Sequence, residues 1–176
     1  MNIVLIGFRG AGKTCVGKLL AGKLKWSFVD ADEFIERRYG FMVSELIEKH
    51  SESLFRLFES DVINQLSKLD SHIIAAGGGA VLKYKNVRNL KRNGKVFWLH
   101  ADCDTICQRI LKDDKTGKKP VTAGSNELFN KIRDLMAFRE QYYKQSADYI
   151  IKTTDSAPEM VANSIYGIIK KQTNIS

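Results

Sequence analysis

Apolar and polar positions are grouped along this chain in blocks that predict alternating strands and helices. Residues 2–6, "NIVLI", form a short hydrophobic run suited to a central parallel strand buried on both faces. After a glycine-rich turn, Val16, Leu19, Leu20 and Leu24 recur at helical spacing and predict a helix over about 13–24. "SFVD" predicts a second brief strand that closes on Asp30. Residues 33–68 read as mostly helical, most clearly in "SESLFRLFESDVINQLSKL". There Ser51 suits a cap, Glu52 the first turn, and Leu54, Phe55, Phe58, Val62, Ile63 and Leu66 the buried side. "HIIAA" at 72–76 is a third strand running into Gly77, Gly78 and Gly79. A helix over 84–92, a fourth strand "KVFWLH" at 95–100 and a helix over about 103–111 follow. The pattern ends with a long helix at about 126–143, a fifth strand in "DYIIKT" and a terminal helix near 157–171.

Strand and helix alternate throughout, which argues an α/β fold: an open parallel sheet with helices on both faces, a three-layer αβα sandwich. The length of 176 residues suits one domain, 1–176. The exception to the alternation is "KDDKTGKKPVTAGS", polar and punctuated by Gly117, Pro120 and Gly124, which reads as a mobile loop or lid over about 112–124. No apolar run approaches a membrane span, and a strand beginning at residue 2 or 3 leaves no room for a leader, so a cytoplasmic protein is expected. Cys15, Cys103 and Cys107 are odd in number and lack partners spaced for zinc, so they are expected to be buried thiols. The net charge of +8 is scattered and joins no aromatics in an RNA-binding signature. It is read as a solvated face that also suits small anionic substrates, with no nucleic-acid partner.

"GFRGAGKT" at 7–14 has the spacing G-x-x-x-x-G-K-[ST], and the predicted strand before it and helix after it supply the context a phosphate loop needs. Glycines let successive N–H groups curl around one anion, and the helix adds its positive end. Lys13 is expected to reach the terminal phosphates and Thr14 to place its hydroxyl on magnesium. Gly10, Ala11, Gly12 and Cys15 complete the expected ATP-binding segment.

Asp30 and Asp32 in "VDAD" stand at the carboxyl end of a parallel strand, the edge where open α/β sheets bind ligands. One carboxylate there can support magnesium and the other receive an acceptor hydroxyl; alternatively Asp32 caps the helix starting at Glu33. Arg56 and Glu59, three apart, either pair on the surface or turn Arg56 into the cleft to grip a carboxylate. Three glycines in a row at a strand end imply a close approach of backbone to something bulky at the ligand edge. Arg139, His50, His72 and His100 carry no signal alone, and Trp26 and Trp98 read as packing residues.

Taken together, "GFRGAGKT", "FVDAD", "LFRLFE", "AAGGGAV", "KKPV" and "FREQYY..SAD" resemble the shikimate kinase family, in the nucleoside-monophosphate-kinase-like branch of P-loop kinases. The resemblance implies strand order 2-3-1-4-5, an acceptor-binding region over about 31–60, and transfer of the terminal phosphoryl group of ATP to the 3-hydroxyl of shikimate. It implies Asp30 near Mg2+, Asp32 on shikimate hydroxyls, Arg56 and Arg139 on its carboxylate, and Glu59 orienting Arg56. It also implies that the backbone of Gly78 and Gly79 approaches shikimate, and that Arg109 lies against adenine. The lid departs from the family's Arg-Pro-Leu-Leu: Lys119, Pro120, Val121 and Thr122 stand there, and lysine keeps the charge but loses the fork of donors. Lys119 is expected to close over the phosphates in its place. No interface stripe is left over, which favours a monomer. The rival readings are another small-molecule kinase of the same branch, a catalytically weak relative kept for binding, and a nucleic-acid module.

Overall fold

The computed structural model describes residues 1–113 and 126–173. Five strands, β1 (Asn2–Ile6), β2 (Ser27–Asp30), β3 (His72–Ala75), β4 (Gly94–His100) and β5 (Tyr149–Lys152), form one parallel sheet in the order β2-β3-β1-β4-β5. This is the expected order. β1 is central and buried over its whole length, as its unbroken apolar run requires. Its one polar member, Asn2, is satisfied: the side chain donates to the Leu69 carbonyl at 2.7 Å and accepts from the His72 N–H at 3.0 Å.

Alternate side chains of the strands feed two cores. Ile3, Leu5, Phe97 and Leu99 face α1 (Lys13–Leu24) and α8 (Pro158–Thr173), packing on Val16, Leu20, Val161 and Ile165. Val4, Ile6, Val96 and Trp98 face the other way, towards α2 (Ala31–Tyr39), α3 (Val43–Lys49), α4 (Glu52–Leu66) and α5 (Tyr84–Arg92). The period of two along each strand thus builds the three layers. Two further helices, α6 (Cys103–Asp113) and α7 (Asn126–Ser146), lie before and after the undescribed segment.

The stretch expected to be mostly helical is three helices. Gly40 ends α2 in the left-handed conformation, at φ 75°, and its N–H returns to the Glu36 carbonyl. Ser51 caps α4, accepting from the Leu54 N–H at 3.1 Å. The helix cap at β2 is a correction: α2 begins at Ala31, and Asp30 rather than Asp32 caps it, accepting from the Asp32 N–H at 3.1 Å. The thiols are also corrected, since Cys15 is exposed and Cys103 and Cys107 are only partly buried. Trp26 and Trp98 pack in the cores as expected.

Candidate functional site

The loop between β1 and α1 bends because its glycines adopt conformations that a side chain disfavours. Gly10 and Gly12 have φ of 81° and 94°, and Gly12 stands at the N-cap of α1 with no side chain to occupy the N–H groups of the first turn. Those donors and the helix dipole converge on one concavity. Lys13 folds back over the loop, its Nζ donating to the carbonyls of Gly7 at 2.9 Å and Phe8 at 3.1 Å. Burial pushes its ammonium below the usual lysine range, opposed by Asp32 and Asp30 and aided by Arg139. Thr14 Oγ1 donates to Asp30 Oδ2 at 2.8 Å. A hydroxyl and a carboxylate held one hydrogen bond apart form an oxygen-donor set that fits Mg2+.

A cleft of about 600 Å³ opens above this loop. Gly10, Ala11, Gly12, Lys13, Thr14 and Cys15 line its floor. At one end lie Arg109, Thr153 and Pro158, and at the other Asp30, Asp32 and Gly78. Arg109 is fixed in place: Nη2 donates to the Thr153 carbonyl at 2.7 Å and Nη1 to that of Gly10 at 3.3 Å. Arg109, the loop backbone of Gly10–Cys15 and the two carboxylates thus line one cleft.

Beyond the carboxylates lies the triple glycine, and its outer two members, Gly77 and Gly79, make room for functional side chains while Gly78 lies in ordinary contact with a third. A Cβ on Gly77 would stand 2.7 Å from Asp32 Oδ1 and 2.9 Å from Glu59 Oε1. On Gly78 it would meet Arg139 Nη1 at 3.5 Å, and on Gly79 it would overlap the guanidinium of Arg56. Gly79 has φ −103°, which any residue adopts, so space rather than backbone freedom demands glycine there. The bulky neighbours implied by the sequence are the protein's own side chains, gathered at one loop beside the phosphate-binding turn.

Arg56 is held on two sides. Its Nη1 donates to Glu59 at 2.9 Å and 3.1 Å, and its Nη2 to Glu52 at 2.9 Å. Glu59 is fully buried. Burial raises its pKa, while Arg56, Lys83 and Arg139 work against that rise. Arg139 lies 5.5 Å from the Phe8 ring centroid, and its buried Nε has no hydrogen-bond partner. Asp32 Oδ1 is likewise buried without a partner. Burial first, then Asp30, pushes the Asp32 carboxyl up to about 6 against the pull of Lys13. A buried acceptor and a buried donor, both unsatisfied and both next to the same glycines, mark a place shaped for a polar ligand.

The structure thus brings together Lys13, Thr14, Asp30, Asp32, Arg56, Gly78, Gly79 and Arg139, and sets Arg109 at the far end of the same cleft. Lys119 lies outside the described residues. Sequence reasoning missed Tyr143, whose hydroxyl donates to the Gly78 carbonyl at 2.6 Å and whose pKa burial raises to about 12, so it stays a donor. It also missed Thr153, which anchors Arg109. "FREQYY" held the first signal, since Tyr143 falls four residues after Arg139 and shares its helix face. Nothing local marks Thr153.

Comparison with known proteins agrees with this geometry. The family model described as shikimate kinase matches residues 9–170. A shikimate kinase of Caldicellulosiruptor bescii is 40% identical over 167 residues, covering 95% of this chain and 94% of the relative. One of Thermodesulfovibrio yellowstonii is 39% identical over 173 residues, covering 98% and 97%. Among solved structures, shikimate kinase from Acinetobacter baumannii in complex with shikimate superposes with a TM-score of 0.87 at 34% identity, covering 98% of this chain and 94% of that one. With a phosphate loop, a carboxylate pair and an arginine pair on the expected elements, the chain belongs to the shikimate kinase family.

Proposed function

We propose that this protein transfers the terminal phosphoryl group of ATP to the 3-hydroxyl of shikimate, giving shikimate 3-phosphate and ADP. Family membership supports the reaction class. The observation that supports the assignment of residues is the triple glycine, where the missing side chains of Gly77 and Gly79 let Asp32 and Arg56 crowd one loop, with Arg139 in contact at Gly78. An acceptor with one carboxylate and several hydroxyls meets its complement in two guanidiniums and a carboxylate.

In this reading the N–H groups of Gly10–Cys15 hold the phosphate chain, and Arg109 packs beside the base. Thr14 and Asp30 would hold Mg2+, which would neutralise phosphate charge. Lys13 follows the charge that develops on the transferring oxygens, an electrostatic contribution made before the reaction begins. Arg56 and Arg139 fix the acceptor carboxylate. Asp32 orients the acceptor hydroxyl and takes its proton, and a carboxyl with a pKa of about 6 is well matched to that exchange near neutral pH. The acceptor region spans about 31–60. The lid expected over about 112–124, with Lys119, falls mostly on residues 114–125, which lie outside the described residues. The protein acts as a cytoplasmic monomer. Among the described residues no helix is long and apolar enough to cross a membrane.

Release of ADP in the presence of shikimate tests the reading, followed for the parent and for Lys13→Ala. The parent turns over, and the variant loses about 100-fold or more with its fold intact. Near-parental turnover by Lys13→Ala would remove Lys13 from this role.

A further inference from the structure

We infer that Lys83 is a positioning residue for the acceptor site, locking the Arg56 helix to the triple-glycine loop. Lys83 follows the short 3-10 turn, Ala80–Leu82, that closes this loop, so it is covalently part of the segment that presents Gly78 and Gly79. Its Nζ reaches across to α4 and donates to the main-chain carbonyl of Arg56 at 2.9 Å and to Ser60 Oγ at 3.3 Å. Ser60 Oγ donates to the same carbonyl at 2.8 Å. That carbonyl belongs to the residue whose guanidinium lies over Gly79. The two segments are therefore fastened at both ends of Arg56: the guanidinium rests on the glycine, and the backbone is held by the lysine.

The charge of Lys83 matters as well as its reach. Glu59, which holds Arg56 Nη1, is fully buried, and an ionised carboxylate there needs compensation. The groups facing it are Arg56 on its own helix, Lys83 from the glycine loop, Arg139 from α7 and Asp32 from α2. Three are cations that favour its ionised form, and Lys83 is the one of these that the proposed reaction leaves without a direct task. A protonated Glu59 accepts less well from Arg56, and the grip on the acceptor carboxylate loosens. Lys83 thus acts through Arg56 and Glu59, on acceptor binding and not on the nucleotide.

This inference rests on the phosphotransfer reading above, and the parent's shikimate-dependent ADP release checks that reading separately. The test is Lys83→Met, which keeps the aliphatic stem and removes donors and charge. Its KM for shikimate should rise about tenfold or more, the loss typical of a hydrogen bond to a charged group, with KM for ATP within about twofold of the parent. The fall in kcat/KM for shikimate on acidification should also begin at higher pH, since Glu59 has lost a cation. Lys83→Arg, which restores the cation, should recover most of the affinity. Lys83→Gln keeps one donor and drops the charge; it should show the same split at smaller size, and it replaces Lys83→Met if that variant does not fold. A variant in which both KM values shift equally, or in which shikimate KM and its acid limb match the parent, overturns the positioning role.

Discussion

Thr14 Oγ1 donates to Asp30 Oδ2 at 2.8 Å, so the first turn of α1 and the end of β2 are joined at one carboxylate. The other oxygen of Asp30 caps α2. Asp30 thus links the phosphate loop to the start of the acceptor region while presenting charge to the cleft. Asp30→Asn keeps an oxygen for the cap and removes the charge, so stability should stay within about 1 kcal/mol of the parent. The Mg2+ concentration needed for half-maximal turnover should rise about tenfold or more. Titration of turnover with Mg2+ at fixed ATP checks this, and an unchanged requirement would make Asp30 purely structural.

Asp32 titrates near 6 in the folded protein against an ordinary 3.8. The folded state therefore binds more protons than the unfolded chain between those values. Stability is fully present below the lower value and falls as pH rises through the upper one. Asp32→Asn should remove that loss and raise stability at pH 8 by on the order of 3 kcal/mol, while activity collapses. In the parent, kcat/KM for shikimate should fall on acidification below about 6, as Asp32 takes up its proton. Thermal unfolding of both proteins at pH 4 and pH 8 and a pH–rate profile check the pair of effects. Equal pH dependence of stability in the two proteins would contradict it.

The shape of the acceptor site is tested most simply at Gly79. Alanine suits its backbone, so Gly79→Ala should fold, but the added methyl occupies the place of the Arg56 guanidinium. Disturbing one partner of a desolvated charge contact costs about 2–5 kcal/mol. Shikimate binding should weaken accordingly, with ADP binding little changed, and Arg56→Ala and Arg139→Ala should show the same selectivity. Separate titrations with shikimate and ADP decide the matter. Equal losses for the two ligands would argue against a dedicated acceptor site.

The alternation of strands and helices and the phosphate loop were legible in the sequence because both rest on local pattern, whereas the strand order followed only from the family resemblance. "NIVLI" and "GFRGAGKT" need only their immediate neighbours to be understood. The acceptor site was legible only in part. "AAGGGAV" announced a close approach, but which side chain meets which glycine depends on how α2, α4 and α7 pack over the sheet edge. Glu59 shows the limit well. It falls among the apolar positions of α4 and is fully buried, yet a charged residue there reads equally as a surface partner of Arg56 until the loop is seen to cover it. The cap of α2 was misplaced for a similar reason: the helix starts at Ala31, two residues earlier than Glu33, so Asp30 rather than Asp32 caps it.

The expected lid is where the sequence departs from the family's Arg-Pro-Leu-Leu, at Lys119, Pro120, Val121 and Thr122, outside the described residues. If Lys119 stands in for the usual arginine, Lys119→Ala should lower turnover strongly at saturating ATP and shikimate, with shikimate affinity little altered. Lys119→Arg should keep or raise turnover, since a guanidinium contacts two phosphoryl oxygens at once. The same changes at Lys118 should do far less. An active Lys119→Ala beside an inactive Lys118→Ala would shift the role by one residue.

The two guanidiniums and Asp32 should select an acceptor carrying both a carboxylate and ring hydroxyls. Coupled ADP release with shikimate, quinate and gluconate as competing acceptors measures this directly. Rapid ADP release is expected with shikimate, suppressed little by gluconate, which has no ring hydroxyls, and more by quinate, which has both groups; shikimate-driven release should fall strongly in Arg139→Ala. Equal turnover with gluconate, or ADP release that shikimate does not stimulate, would contradict it.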